Sequence, residues 1–343
     1  MGKIKFKRML LIAAVILMVF SQLTGCGKEQ DAKKDQKATN EYSTVQKEPD
    51  VIKLPLPSSV IGVSIYDIAE ELGFPKEENL KFEFVGAVDP GQLVASVVAG
   101  KIDVGGAHIN RTIAGISAGA KIKAVVAQTV TTKEIPHMTY ITEAGSPINS
   151  AADLAGKRLG IYAFGGCNEY IPYGYMLKNG IDAPKGKFKI VVAPESKLEQ
   201  ALKQKEVDII GLHDSPSNIL KRGNYKVVFS DYDVWEEIGG GTPLYFSQKF
   251  IKEKPDVVRR FVKVIAKTNS WVNKNPQKAV EITAKKYKVN PEILRSNIYV
   301  EDGVIKDETV TVWIDLLKKF GEIKSDIKPS DIYTNEFNEN AKK

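Results

Sequence analysis

The sequence predicts an α/β fold with two lobes, and three observations lead to this prediction. From residue 51 onward, strand-like segments alternate with helix-like segments, which is typical of sheets with parallel neighbours. Residues 93–110 and 198–215 repeat one pattern of helix, tight turn, short strand and polar loop. Strand-like residues 138–142 and 244–247 stand where the chain would leave the first lobe and return to it. We therefore expect two related lobes joined by two strands.

The elements of the first lobe each have a local signal. Strands are predicted at residues 51–56, 81–85, 103–107 and 122–128, where apolar residues alternate or cluster. Helices are predicted at residues 63–72, 90–99 and 110–118. Asp89 and Pro90 supply an N-cap and a proline at the first helical position of the second helix.

The second lobe repeats this order of elements. Strands are predicted at residues 158–163, 187–192, 208–212 and 225–230, and helices after Ser150, at 167–179, at 196–204 and from Ser215-Pro216. C-terminal helices are predicted to begin at Pro255, Pro276 and Pro291, and a last one covers residues 308–320. We assign residues 51–140 and 245–343 to lobe 1 and residues 141–244 to lobe 2.

The N-terminus reads as an export signal over residues 1–25. Its basic start, Lys3, Lys5, Lys7 and Arg8, precedes an apolar run at residues 9–20 and small residues before Cys26. Residues 23–26, Leu-Thr-Gly-Cys, resemble the bacterial lipobox, which implies cleavage before Cys26 and lipid attachment to it. The alternative is an ordinary membrane anchor, although the run is shorter than the about 20 residues of a span. Both interpretations place the rest of the chain outside the cytoplasm, at the membrane surface.

Residues 26–50 are predicted to be a disordered tether, because they contain too few apolar residues to offset the entropy of ordering. The signal holds four basic and no acidic residues, so its removal leaves 45 basic and 42 acidic residues, a net charge of +3. Dispersed basic residues at this charge argue against nucleic-acid binding. With Cys26 lipidated, Cys167 has no disulfide partner, and the fold depends on its apolar core.

A ligand site is expected at the carboxyl ends of the strands, where the two lobes face each other. The loops concerned cover residues 56–62, 106–111, 163–168 and 212–216, and each precedes a helix start that favours an anion. The predicted ligand-binding residues are Ser58, Ser59, His108, Asn110, Arg111, Phe164, Gly165, Gly166, Cys167, Asn168, His213, Asp214 and Ser215.

The roles of these residues have alternatives. His108 and His213 would contact the ligand from opposite lobes, or would only satisfy backbone groups in their loops. A metal pair would need His137 or Cys167 as further ligands, and we predict neither a metal nor a cofactor. Arg111 would clamp an anion or remain an exposed helix residue.

The remaining polar and sulfur groups also have two interpretations. Asp214 would meet a ligand amine or assist the cap at Ser215. Gly165 and Gly166 would allow close backbone approach. Cys167 lies near a helix N-terminus, which can lower a thiol pKa, but a packed wall residue is the prediction. The aromatic residues Tyr162, Phe164, Tyr170 and Tyr173 would line the cleft or fill the core.

Several segments resemble the substrate-binding proteins of ABC transporters for aliphatic sulfonates, taurine and nitrate, a group that extends to binders of thiamine precursors. They are AGKIDVGGA (99–107), GSPINSAADLAGKRLGI (145–161), EKPDVVRRFVKV (253–264), WVNKNPQKA (271–279) and DIYTNEF (331–337). The resemblance implies a type II periplasmic-binding fold of two Rossmann-like lobes around a hinged cleft. It also implies a permease and an ATPase as partners of a monomeric receptor.

One departure from this family concerns the ligand. The first loop reads LPSSVIGVS, with Ser58 and Ser59 in place of the aromatic residue that the family usually carries there. Serine hydroxyls would still hydrogen-bond an oxyanion or a carboxylate. We therefore predict capture of a small organic anion; the alternatives are a neutral heterocycle such as a thiamine precursor, or a sensory lipoprotein.

An enzyme is the competing class, because related folds include a pyrimidine-precursor synthase with a cysteine-rich motif. This chain has Cys167 and no cysteine cluster, and it contains neither a phosphate-binding GxxxxGK[ST] motif nor a zinc-binding HExxH motif. We therefore expect no enzymatic activity.

Overall fold

A computed structural model of the protein describes residues 48–57, residue 60 and residues 62–342. The predicted signal with Cys26, nearly all of the predicted tether, and the serines Ser58 and Ser59 lie outside the described residues. The described residues belong to one compact unit. None of their helices is both long and apolar enough to cross a bilayer.

The strands in the described residues follow one another along almost the whole chain. They are β1 (Asp50–Leu56), β2 (Leu80–Ala87), β3 (Val104–Gly106), β4 (Ile122–Val130), β5 (Thr139–Glu143), β6 (Arg158–Ile161), β7 (Lys189–Val192), β8 (Ile209–Leu212), β9 (Tyr225–Ser230), β10 (Thr242–Ser247) and β11 (Ile298–Tyr299). All the predicted strands are present, with ends that differ by at most two residues.

The helices alternate with these strands and dominate the C-terminal part. They are α1 (Ile65–Glu71), α2 (Phe74–Glu77), α3 (Leu93–Val98), α4 (Ile109–Ser117), α5 (Cys167–Lys178), α6 (Glu195–Lys203), α7 (Pro216–Arg222), α8 (Tyr232–Trp235), α9 (Gln248–Glu253), α10 (Pro255–Lys274), α11 (Pro276–Tyr287), α12 (Asp307–Lys319) and α13 (Pro329–Ile332). Short 3₁₀ turns cover Pro90–Gln92, Ala152–Leu154, Glu236–Ile238, Pro291–Ile293 and Glu339–Lys342.

The strands form two separate groups. In the first, β1 and β2 pair in parallel, and a four-stranded sheet has the order β11-β4-β10-β3. The backbone N–H of Asp103 donates to the Lys53 carbonyl at 2.8 Å, which places β1 beside β3. In the second, a five-stranded sheet has the order β7-β6-β8-β5-β9, with β6 parallel to both its neighbours. Helices between parallel strands confirm the α/β fold class.

The chain passes between the two groups at residues 131–138 and 231–241. The predicted crossing strands are β5 and β10, which lie inside their own sheets and run antiparallel to both neighbours. The carboxylate of Asp231 joins the two crossing segments, since it accepts hydrogen bonds from the Met138 N–H at 2.9 Å and from the Thr131 hydroxyl. Asp231 is fully buried.

Some predicted helix starts are wrong in detail. The segment after Ser150 is a single 3₁₀ turn. The Ser150 hydroxyl donates a hydrogen bond to Asp153 and does not cap the turn. The Asn290-Pro291 start also gives only a 3₁₀ turn. The predicted start of α11 at Pro276 is correct, but the N-cap residue Asn275 makes no side-chain capping bond, because its amide donates to the Trp271 carbonyl of the preceding helix. The prediction also missed α2, α8, α9 and α13, which are too short to show a periodic pattern.

The long helix α10 covers the first group of strands with an apolar stripe. Val258, Phe261 and Ile265 are fully buried there. Phe261 packs edge-on against Phe246 of β10, with 5.2 Å between ring centroids. Each such side chain contributes about 1.5–3 kcal/mol by leaving water. This packing fixes the strand ends that carry the candidate site.

Candidate functional site

The loops that follow β3 and β6 contact each other, although they belong to different sheets. The side-chain amide of Asn110 donates to the Gly165 carbonyl at 3.0 Å. The guanidinium of Arg111 donates to the Phe164 carbonyl at 3.2 Å. The structure therefore brings these four predicted site residues together across the cleft between the sheets.

All three histidines of the chain lie in one cluster. The ring of His137 stands between those of His108 and His213, with centroid distances of 4.6 and 4.8 Å. The sulfur of Cys167 lies 3.4 Å from His137 Nε2 and 3.6 Å from His213 Nε2. His108 and His213 come from the predicted loops, whereas His137 comes from the crossing segment 131–138.

Glu195, the first residue of α6, holds His213 in place. Its carboxylate accepts the backbone N–H of His213 at 2.7 Å and contacts Nδ1 of the ring at 2.9 Å. Burial by itself would raise the pKa of this carboxyl, but the charge and hydrogen bonds of His213 lower it to about 2. Burial also opposes charge on His213, yet Glu195 and Cys167 raise the pKa of His213 to about 10.

Burial favours the neutral form of the other two rings. Burial lowers the pKa of His108 to about 3, and burial together with the neighbouring rings lowers the pKa of His137 well below its usual value. His108 contacts the Asn110 side-chain oxygen through Nδ1 and the Gly239 carbonyl through Nε2, both at 3.0 Å. The indole N–H of Trp313 donates to the same carbonyl at 2.8 Å.

A second group of polar atoms surrounds Gly166. A Cβ atom at this position would lie 2.5 Å from the Asn168 side-chain oxygen, 3.1 Å from an Arg111 guanidinium nitrogen and 3.2 Å from the Tyr162 hydroxyl. Asn168 is fully buried, and neither polar atom of its amide has a hydrogen-bond partner among the described residues. These atoms pack so closely that no side chain fits at Gly166, and the glycine allows Arg111, Tyr162 and Asn168 to converge there.

A cavity of 370 Å³ lies at the carboxyl ends of the first group of strands. Apolar side chains such as Leu56, Tyr66 and Leu93 form most of its wall. None of the predicted site residues that the structure describes lines it. Its size suits a small organic molecule.

Arg295 links the cavity to the polar cluster, and no sequence motif marks this residue. Its carbonyl accepts the N–H of Val63, a cavity residue, at 3.1 Å. Its Nε is buried and has no hydrogen-bond partner in the described part of the chain. Burial lowers the pKa of Arg295, while Glu195 and Asp214 oppose that change. This arginine and Glu195 are the clearest additions to the predicted set.

Two predicted residues have structural partners instead. Asp214 accepts hydrogen bonds from the Ser215 N–H at 2.8 Å and pairs with Arg222. Ser215 is the N-cap of α7 and accepts the Asn218 N–H at 3.4 Å. Their proposed role in ligand binding stays a prediction.

The aromatic residues and Cys167 have different surroundings. Phe164 is 62% exposed at the rim, whereas Tyr170 and Tyr173 are buried in the core. Tyr162 packs against His213, with 5.2 Å between ring centroids. Cys167 is fully buried and begins α5.

The sequence contains a G-x-S-x-G string at residues 115–119. Such a string can mark a catalytic serine when the serine sits on a sharp turn between strand and helix. Here Ser117 ends helix α4, and its hydroxyl accepts the Lys324 N–H at 2.9 Å. This position does not have the geometry of a nucleophile elbow.

Known structures share this fold. The alkanesulfonate-binding protein SsuA from Xanthomonas axonopodis, bound to MOPS, aligns with a TM-score of 0.66 at 15% identity over 84% of this chain and 99% of that chain. The periplasmic nitrate-binding protein NrtA from Synechocystis aligns with a TM-score of 0.64 at 13% identity over 84% of this chain and 87% of that chain. Both likenesses confirm the predicted periplasmic-binding fold.

Sequence comparison also relates the chain to a binding protein. A Brucella abortus protein whose name describes it as a binding protein is 24% identical over 286 residues, which cover 79% of this chain and 86% of the relative. The model of the family described as NMT1/THI5 like matches residues 63–279, more than half of the chain. The chain therefore belongs to the NMT1/THI5-like family.

Proposed function

We propose that this protein is the extracytoplasmic solute-binding component of an ABC-type importer. Membership of the NMT1/THI5-like family and the fold shared with sulfonate- and nitrate-binding proteins support this function. A permease and an ATPase are the partners, and Cys26 carries the lipid anchor that keeps the receptor at the membrane. The protein acts as a monomer, and it binds its solute without chemical change.

Binding is coupled to closure of the cleft. The hydrogen bonds from Asn110 to Gly165 and from Arg111 to Phe164 join loops of the two sheets. The crossing segments 131–138 and 231–241 are the hinge between the lobes. A solute that contacts both lobes stabilises the closed form and shifts the population toward it. The permease then distinguishes the loaded receptor from the empty one.

The solute is a small organic anion, and the polar groups that converge at Gly166 carry this proposal. Arg111 and Tyr162 lie there beside the buried Asn168, whose amide has no partner among the described residues. A guanidinium and a hydroxyl are donors that suit a sulfonate or carboxylate group, whereas the Asn168 atom nearest Gly166 is its side-chain oxygen, an acceptor. Leaving the buried Asn168 amide without a partner costs about 1–3 kcal/mol, and a solute that bonds its N–H₂ group would recover part of this cost.

A neutral heterocycle is the second candidate, because the 370 Å³ cavity is mostly apolar. An aromatic ring of a vitamin-precursor type would fill this space beside Tyr66. The two candidates differ in their need for a cation in the cleft. An anion depends on Arg111, whereas a neutral ring depends on the apolar wall.

Thermal-shift measurements followed by calorimetry test this function. The screen covers sulfonates, taurine, nitrate, carboxylates and thiamine precursors, and a ligand at 100 times its Kd adds about 2.7 kcal/mol of stability. Arg111→Gln should weaken binding of the anionic hit at least about tenfold, since charged hydrogen bonds contribute about 1.5–3 kcal/mol. The matched control is Arg259→Gln on the exposed face of α10, which should bind normally.

The outcomes separate the alternatives. A heterocycle that binds equally well to Arg111→Gln contradicts the anion proposal and leaves the receptor function intact. Failure of the whole panel, with a permease that does not respond to the receptor, would favour the sensory lipoprotein.

A further inference from the structure

At the centre of the histidine cluster, hydrogen-bond acceptors outnumber the N–H groups that can donate to them. Asn110 uses its amide N–H to bond the Gly165 carbonyl, so its oxygen faces His108 Nδ1 and requires the ring proton there. In the tautomer with its proton on Nδ1, the bare Nε2 of His108 lies 3.0 Å from the Gly239 carbonyl. That carbonyl already accepts the Trp313 indole N–H. Two lone pairs therefore face each other in a buried site.

The sulfur of Cys167 has a similar position between two rings. It lies 3.4 Å from His137 Nε2 and 3.6 Å from His213 Nε2. Tetrahedral zinc has bonds of about 2.3 Å to sulfur and about 2.0 Å to nitrogen, so its sulfur and nitrogen ligands are about 3.5 Å apart. Both observed separations equal that ligand spacing within about 0.1 Å.

The chemical types of the ligand atoms, and the residues that orient them, also fit a metal site. One ligand atom each from His108, His137 and Cys167 lies within 4.8 Å of the others, so a shift of about 1 Å brings them to bonding positions. Imidazole and thiolate together select zinc-like ions over magnesium or calcium. Glu195 holds the opposite nitrogen of His213, and Asn110 that of His108, as outer-sphere partners do at metal sites.

We propose that His108, His137 and Cys167 bind a zinc-class metal ion, with His213 as the fourth ligand. This site revises the sequence-based expectation that the protein holds no metal. Its four ligands are distinct from the solute groups around Gly166, although Tyr162 of that group contacts both Cys167 and His213.

The proposed ligands come from different parts of the fold, so a bound ion would connect those parts. His108 precedes α4 of the first lobe, Cys167 begins α5 of the second, and His137 belongs to the crossing segment. An ion held by all three would join the lobes and the hinge. Metal binding should therefore favour the closed form before any solute enters the cleft.

Cobalt titration of the full-length protein in mild detergent tests the proposal. After treatment with a chelator, Co²⁺ should produce a thiolate-to-cobalt absorption band that saturates at one equivalent, and Zn²⁺ should abolish the band by displacement. Cys167→Ser should remove the band, whereas Cys26→Ser should keep it. His137→Gln should weaken Co²⁺ binding at least about tenfold, and Glu195→Gln should weaken it about 10- to 100-fold.

Three results would overturn the metal site. One is a wild-type protein that shows no band at one equivalent, in which case the Cys167 sulfur only shares hydrogen bonds with the two neighbouring rings. Another is a band that survives in Cys167→Ser. The third is unchanged Co²⁺ affinity in His137→Gln, a variant whose folding is checked independently by circular dichroism. None of these three results decides the solute proposal, which is tested separately by the solute affinity of Arg111→Gln.

Discussion

Asp231 should make the stability of the protein fall as the pH rises, and Asp231→Asn should remove that dependence. The carboxylate is fully buried between the two crossing segments, where it accepts the Met138 N–H at 2.9 Å and the Thr131 hydroxyl. Burial raises the pKa of Asp231 from 3.8 to about 6, against the lowering effect of those hydrogen bonds.

The sign follows from proton linkage. The folded protein holds the Asp231 proton more tightly than the unfolded chain, so folding takes up a proton between pH 3.8 and about 6. This group favours folding most below pH 3.8 and loses that contribution as the pH rises through about 6. At 1.36 kcal/mol per pKa unit, the loss amounts to about 3 kcal/mol.

Urea unfolding of the wild type and Asp231→Asn, followed by circular dichroism from pH 4 to 7.5, measures this term. The free energy of unfolding of the variant relative to the wild type should increase by up to about 3 kcal/mol across the range. Any cost of the altered hydrogen bonds is the same at each pH and cancels from this change. A variant-minus-wild-type difference that is constant with pH would refute the reasoning.

Asp208→Asn is the matched control, because the environment of Asp208 acts in the opposite direction. Hydrogen bonds from Arg158 lower the pKa of the Asp208 carboxyl, despite an opposing effect of burial. Its stabilisation is present above the unfolded pKa and is lost as the pH falls through the lower folded value. The relative stability of Asp208→Asn should therefore decrease as the pH rises, and equal pH profiles for both variants would contradict the assignment.

Two further variants test packing. A Cβ atom at Gly105 would lie 2.3 Å from the Tyr245 ring, so Gly105→Ala should destabilise the protein by about 1–3 kcal/mol through overpacking, whereas Gly145→Ala meets nothing within 4 Å. Equal unfolding midpoints for these two would disprove the clash. Phe229 is buried and stacks on two tyrosine rings at centroid distances of 4.3 and 4.0 Å, so Phe229→Ala should cost about 3–5 kcal/mol. Phe164→Ala, at a residue that is 62% exposed, should change stability by less than about 0.5 kcal/mol.

Local signals explain why most elements could be predicted. The apolar stripe of α10 and the proline at its start are local features, which depend on residues within one or two helical turns. Val258, Phe261 and Ile265 of this stripe are buried. The strand predictions succeeded for the same reason. Errors occurred where a side chain bonds a partner that the spacing of residues along the sequence does not reveal. Asn275, for example, donates to the Trp271 carbonyl and makes no side-chain capping bond to α11.

The site was predicted in part because strand ends in such sheets share one edge. His108, Arg111, Cys167 and His213 stand in loops that the alternation of strands and helices identifies, although their functional roles stay predictions. No pattern assigned Arg295 to the cleft, since it follows a 3₁₀ turn far along the chain.

The sequence by itself determined the α/β class, the two repeated lobes and the loops at the strand ends, because these depend on periodicity and turn residues along the chain. Only the tertiary structure decided that His137 joins His108 and His213, that Glu195 holds His213, and that Arg295 meets the cavity. These contacts join residues far apart in sequence, such as His213 with His137, and their geometry depends on how two sheets and the crossing segments pack together. Periodicity contains no information about that packing.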